Sequence, residues 1–310
     1  MSKEKKMLER ELWDAITEGD VLKTRLILND QNLNVNWTEE QYQRTCFYRA
    51  CGLGKIEIVK LFLDDERVNV NQVQSEGVTP FYIACWYGQV ETVKLLLEYP
   101  QVDVQQKDDE EIAPFYIACQ QGYFDIVKLL LNDHRVDVND VRNDQATPLF
   151  IACEKGKLEI VKLLLNDKRV DVNKGRNDQA TPLFMACQNG HYNCVLWILA
   201  TRKEINTKIR WNGRKRTPLE QAIIFSTLEQ QNDERSLEIA LKRQQNCSKI
   251  VEILKEYENN EEQTRFKIRK ELKILDAIAS EIFSLVVLVT DEYLRVYERC
   301  DSSRKRTRLE

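Results

Sequence analysis

Arg142-Asn-Asp-Gln-Ala-Thr-Pro-Leu-Phe150 recurs letter for letter at Arg176–Phe184, a displacement of 34 residues. The same interval organises most of the chain. Matching alanines fall at Ala15, Ala50, Ala84, Ala118, Ala152, Ala186 and Ala222, in steps of 35, 34, 34, 34, 34 and 36. Self-similarity at this period marks a stack of supersecondary units, none able to bury its apolar face alone. Such an array presents an extended surface, which predicts a binding protein and not a catalyst.

The copy from Asn143 to Asn173 shows the unit. Thr147 can cap a helix, and Pro148 suits its first position because the missing N–H has no partner there anyway. Leu149, Ile151, Ala152 and Cys153 make a short first helix whose small residues allow close packing. Gly156 ends it, being suited to a left-handed C-terminal residue. Leu158, Ile160, Val161, Leu163, Leu164 and Leu165 then make a more apolar second helix at helical spacing. Val170-Asp-Val-Asn173 leads into a turn-rich connection. The spacing predicts two antiparallel helices and a protruding loop per unit.

This pattern resembles the ankyrin repeat. Thr147-Pro-Leu-Phe-Ile-Ala152, Gly156, Ile160-Val-Lys-Leu-Leu164 and Asp171-Val-Asn173 match its signature in register. Further copies begin at Thr79, Ala113 and Thr181. Weaker ones lie around Leu12–Asn36 and Thr45–Asn71, and a last one begins at Thr217. The resemblance covers roughly residues 8–257 and implies an all-α ankyrin-repeat solenoid of about seven repeats. Two positions depart from the family. Its loop-bridging His is replaced by Tyr82, Tyr116, Phe150, Phe184 and Glu220, so polar bridging is expected to give way to aromatic packing. The loop Gly survives at Gly77 but is Glu111, Gln145 and Gln179 in the next copies, leaving the turn type open.

The composition fits this reading. Hydrophobic residues make up 43% of the chain, enough for burial, and the net charge is only −4. Residues 1–200 carry 23 Lys+Arg against 31 Asp+Glu, a net −8, and residues 201–310 carry 23 against 19, a net +4. The asymmetry points to different partners for the two parts, or to contact between them. It is too small to imply nucleic-acid binding. No apolar h-region follows Met1, and no apolar run approaches the ~18 residues of a membrane span. The expectation is an intracellular, cytoplasmic protein without membrane contact.

Cys51, Cys85, Cys119, Cys153 and Cys187 each follow a marker Ala. Equivalent helices of neighbouring repeats pack about 8–10 Å apart, too far for a disulfide, so these read as buried core thiols. Cys187-x3-His191-x2-Cys194 has the look of a metal cluster, but register assigns Cys187 and Cys194 to the core. With only His134 and His191 in the chain, no phosphate loop and no HExxH, neither a cofactor nor an enzymatic site is expected.

In the ankyrin family the partner usually meets the loop tips and the exposed side of the first helices. By register those helix positions are Gly52/Leu53, Trp86/Tyr87, Gln120/Gln121, Glu154/Lys155 and Gln188/Asn189. The tips carry Glu76, Asp109, Glu110, Asp144 and Asp178, and the last loop, Arg210–Arg214, carries Trp211. Nothing in the repeat requires aromatics at Trp86 and Tyr87, residue types enriched at interface hot spots. The other reading of the pair is a cover over a gap beside the incomplete N-terminal repeats. The acidic tips suit a basic partner segment or are ordinary solvated loops. Likewise, the cationic residues around Trp211 suit an acidic peptide or belong to a plain surface loop.

Beyond Ala222 the register is interrupted at about 227–247 and resumes at Lys249–Leu254 as the last repeat's second helix. Residues 258–264 read as a polar linker. A new helical pattern runs from Phe266 to Tyr297, within a C-terminal helical region over 258–300. In it Leu275, Ala279, Ile282, Val286, Val289, Tyr293 and Val296 alternate steps of four and three, a coiled-coil spacing. The helix either caps the array or pairs chains into a homo-oligomer through Leu275–Val296. A basic tail over 301–310, with Arg304–Arg308, is compatible with nuclear import.

Overall fold

The structure is a computed structural model that describes residues 3–213, 215–227 and 234–272. Among these residues it is helical throughout, with two isolated bridges, Thr38 to Thr45 and Trp211 to Arg216, as the extended pairings. The chain divides into two compact units, residues 1–252 and 253–310.

In the first unit the helices come in pairs. They are α1 (Lys3–Glu18) with α2 (Val21–Leu28), α3 (Cys46–Leu53) with α4 (Ile56–Leu63), and α5 (Pro80–Trp86) with α6 (Val90–Leu97). Then follow α7 (Pro114–Gln121) with α8 (Phe124–Asn132), α9 (Pro148–Glu154) with α10 (Leu158–Asn166), and α11 (Pro182–Gln188) with α12 (Tyr192–Ala200). The odd-numbered helices pack in sequence from α1 to α13 (Pro218–Thr227), and the even-numbered ones from α2 to α12. Two rows of helices result, as the 34-residue period requires.

Local chemistry sets each start and stop. Thr45, Thr79, Thr147 and Thr181 cap the first helices, their hydroxyls accepting the N–H three residues on at 3.0–3.2 Å. Ala113 occupies the same place on α7 without a side-chain cap. Gly156 ends a first helix at φ 65°, and a Cβ there would lie 2.5 Å from the His191 ring. Only glycine satisfies both the left-handed backbone and that approach. The Ala-Cys pairs are fully buried between the rows, from Ala50-Cys51 to Ala186-Cys187. All eight described cysteines are free and buried. Burial pushes the thiol of Cys46 up to about 12 and that of Cys194 up to about 11, which removes thiolate reactivity.

The repeats are stitched together on the loop side. Asn36, Asn71, Asn139 and Asn173 recur in one register, and each side chain accepts a backbone N–H of the following repeat at 2.7–3.0 Å. Each also donates to a carbonyl of that repeat at 2.7–2.8 Å. Arg67, Arg135 and Arg169 grip Asp65, Asp133 and Asp167 two residues earlier and reach back to the preceding repeat, donating to Leu28, Leu97 and Leu131 carbonyls at 2.7–3.0 Å. Cations at helix C-termini complete carbonyls left without intrahelical partners.

Two expectations are corrected. At Tyr82 the loop bridge is not lost with the family's His, whereas Phe150 and Phe184 meet Arg176 and Trp211 through their rings as expected. Tyr82 is fully buried and its hydroxyl donates to Asp108 Oδ2 at 2.8 Å, because a phenol can span the distance while its ring packs in the core. The insertion, helix-permissive in composition, contributes residues 234–247 to α14 (Glu234–Asn259), which begins well before Lys249. Residues 258–264 are not a linker. Asn260 alone separates α14 from α15 (Glu261–Glu271), accepting Gln263 N–H at 3.1 Å as a helix cap. Glu261 and Glu262 then favour the helix start. α15 thus begins five residues before the helix expected over Phe266–Tyr297 and ends at Glu271, with Leu272 as its C-cap. The seam Leu275–Val296 and the tail Arg304–Arg308 lie outside the described residues.

The turn type is also settled. Gln43, Glu111, Gln145 and Gln179 all adopt the left-handed conformation of Gly77, with φ from 56° to 68° against 76° for the glycine. The loop keeps its shape whether or not glycine is present.

Candidate binding face

The exposed side of the first-helix row is uneven in chemistry. Trp86, the last residue of α5, is 38% exposed and Tyr87, its C-cap, 58% exposed, and Leu53 at the end of α3 is 40% exposed. Trp86 stacks on the buried Tyr82 at 6.1 Å between ring centroids, which limits its rotamers. The Tyr87 ring lies against Gly52 on the neighbouring α3. Between α3 and α5 a cavity of about 320 Å³ opens, lined by Arg44, Tyr48, Arg49, Gly52, Leu53, Ile83, Tyr87 and Gln89.

Further along the row the face is polar. Gln120 and Gln121 are half-buried on α7, and Glu154 is half-buried beside the exposed Lys155. The Glu154 carbonyl accepts from Asn189 Nδ2 at 2.9 Å and pairs with His191 Nε2 at 3.0 Å. Gln188 accepts from Gln221 through its side chain at 3.2 Å and from Arg243 through its carbonyl at 3.1 Å. Gln188, Asn189 and Glu154 are thus committed in part to holding repeats together.

The tips divide in the same way. Glu76, Asp109 and Glu110 are exposed. Asp144 accepts the Ala146 N–H at 3.1 Å. Asp178 takes the Arg176 guanidinium and the Trp211 indole N–H, the latter at 2.7 Å. Burial pushes Asp178 up, but those donors and the Ala180 N–H outweigh it and hold the carboxyl below its ordinary range. Trp211 also rests on Phe184, with ring centroids 5.5 Å apart, so it serves as a support for the last loop. The two cysteines of the cysteine–histidine cluster lie in the core, where register places them. Cys187 and Cys194 are buried, His191 covers Gly156, and no metal-holding group occurs among the described residues.

Two residues of the face are absent from the sequence reading. Arg44 stands in a column occupied in the third to sixth repeats by Val78, Ile112, Ala146 and Ala180, and Arg49 in one occupied there by Ile83, Ile117, Ile151 and Met185, while the last repeat carries Arg216 and Gln221 in the same two places. The signal was a charge in an apolar column, visible only when the weak second copy is aligned residue by residue.

The stack of paired helices, with Trp86 and Tyr87 exposed on its first-helix row, has the architecture of a helical repeat protein. Residues 12–108 and 115–209 match the family described as ankyrin repeats (3 copies). The chain belongs to the ankyrin repeat family, whose domains are in general non-catalytic protein–protein interaction modules. Among solved structures, the human ASB11 ankyrin repeat domain is 24% identical with a TM-score of 0.59, covering 74% of this chain and 96% of that one. The ankyrin repeat domain of Bcl-3, a member of the IkappaB protein family, is 18% identical with the same TM-score and the same coverage. These likenesses concern the fold. Comparison with curated proteins finds no match. Among the described residues, no helix is long and apolar enough to cross a membrane.

Proposed function

We propose that this chain is a non-catalytic adaptor that captures a protein partner on the first-helix face of its second and third repeats, centred on Trp86 and Tyr87. The observation that carries the reading is the exposure of two adjacent aromatics on a rigid helix beside the α3–α5 cavity. Aromatic anchors next to a pocket contribute most where the surface is already ordered, because little conformational freedom is then lost on binding. The exposed acids Glu76, Asp109 and Glu110 flank the patch on the loop side and suit basic groups at the partner's margin.

The test compares capture by the full chain and by its Trp86→Ala/Tyr87→Ala variant, with Glu159→Ala on α10 as a control of equal expression. Partners retained by wild type and the control but lost by the double variant are expected. An identical partner set for all three, with the double variant folded by circular dichroism, removes the patch from the binding face.

A further inference from the structure

The α3–α5 cavity carries a charge pattern that the rest of the face lacks. Arg44 and Arg49 interrupt two columns that are apolar in the third to sixth repeats, and both line this one cavity. Arg44 has its guanidinium 4.2 Å over the Tyr42 ring, and its buried Nε has no hydrogen-bond acceptor among the described residues. Arg49 is braced, its guanidinium 4.7 Å over the Trp13 ring and its Nε donating to Thr17 Oγ1 at 2.8 Å. A buried donor without an acceptor is costly, and stacking holds both cations in place without neutralising them.

Three acids stand near. Glu39 accepts the backbone N–H groups of Gln41 and Tyr42 at 2.7 Å and that of Arg44 itself at 3.4 Å, Glu76 accepts from Gln74 at 3.2 Å, and the buried Glu9 acts on the Cys46 thiol against Arg49. Leu53, Ile83 and Tyr87 supply an apolar wall to the same cavity, and Tyr48 closes its inner side. Burial pushes the Tyr48 hydroxyl above its ordinary value, with Arg44 pulling the other way, so at neutral pH it remains a neutral donor.

We infer that this cavity recognises an acidic peptide segment of the protein partner, one carboxylate lying on Arg44 and a neighbouring aliphatic or aromatic side chain against Leu53 and Tyr87. The guanidinium fork matches a carboxylate in shape and charge. The inference rests on the proposed binding face and specifies what that face selects.

A phage-displayed library of random 12-residue peptides, panned on the full chain, supplies the probe. Enriched sequences are expected to hold Asp or Glu within four residues of an aliphatic or aromatic residue. Their synthetic versions, followed by fluorescence anisotropy, should bind at least about tenfold more weakly to Arg44→Gln and more weakly as salt rises. Tyr48→Phe, which keeps the ring, should also weaken binding and serves if Arg44→Gln does not fold. Enriched peptides without acids, acidic peptides indifferent to both substitutions, or no enrichment at all overturn the inference. Basic or neutral peptides that lose binding on Trp86→Ala/Tyr87→Ala leave the wider face standing while this inference fails. Peptides indifferent to every substitution count against both.

Discussion

Asn139 Oδ1 accepts the backbone N–H of Asp171, in the next repeat, at 2.8 Å. The same side chain donates to the Arg169 carbonyl at 2.7 Å, so one amide closes both hydrogen-bonding positions of a neighbouring strand-like segment. The joint is exposed, and water can replace part of it. Two neutral hydrogen bonds at about 0.5–1.5 kcal/mol each set the scale. Asn139→Ala should therefore lower unfolding stability by about 1–3 kcal/mol in urea titrations. A loss below a few tenths of that range would show that the amide ladder is decorative.

The left-handed loop residues give a change of opposite sign. Gln145 and Gln179 hold φ at 68° and 64°, a conformation that costs a residue with a Cβ about 1–2 kcal/mol. Glycine removes that cost but loses more freedom on folding, about 0.5–1 kcal/mol. Gln145→Gly should stabilise the array by up to about 1 kcal/mol, read as a higher urea midpoint at unchanged slope. A lower midpoint would mean that the Gln145 side chain contributes more than its strain.

The repeats were legible in the sequence because their signals are local. Thr147-Pro148 starts a helix, Gly156 stops one, and the 34-residue spacing aligns both with their copies. The exposure of Trp86 and Tyr87 followed from that register alone. Contacts made across repeats were not legible. Asn189 and Gln188 hold the register positions of a binding face, yet α14, 55 residues further on, reaches Gln188 through Arg243. Trp211 had the composition of a binding loop, but its indole N–H is taken by Asp178 from the previous loop. Asn260-Glu-Glu262 reads as polar linker by composition. The same three residues are a cap and two favourable first-turn acids once a helix follows.

Acid should loosen the loop side first. The Arg135 side chain holds the Asp133 carboxyl below its ordinary range, and Arg67 and Arg169 do the same for Asp65 and Asp167. A folded-state value below the unfolded one, about 3.9, gives stability that is present above that pH. It is lost as pH falls through the folded value. Asp133→Asn should melt lower than wild type at pH 7, and the gap should close below about pH 4. Melting temperatures measured from pH 2 to pH 7 decide the matter, and a gap independent of pH would assign the loss to packing instead.

The Tyr82–Asp108 bridge isolates what the third repeat uses in place of the family's histidine. Tyr82 donates to Asp108 Oδ2 at 2.8 Å, while Oδ1 of the same carboxylate accepts the Glu110 and Ile112 N–H groups at 3.0 and 2.9 Å. Burial and the adjacent Asp108 both push the phenol above its ordinary value, so the donor persists across the neutral range. Tyr82→Phe keeps the ring in the core and deletes only this bond. A hydrogen bond to a charged acceptor sets an expected loss of about 1.5–3 kcal/mol. The ring stacked on Trp86 should stay in place, leaving any captured partner bound with little change. A double-mutant cycle with Asp108→Asn separates the bond from its surroundings. Coupling indistinguishable from zero would mean that the tyrosine acts by packing alone.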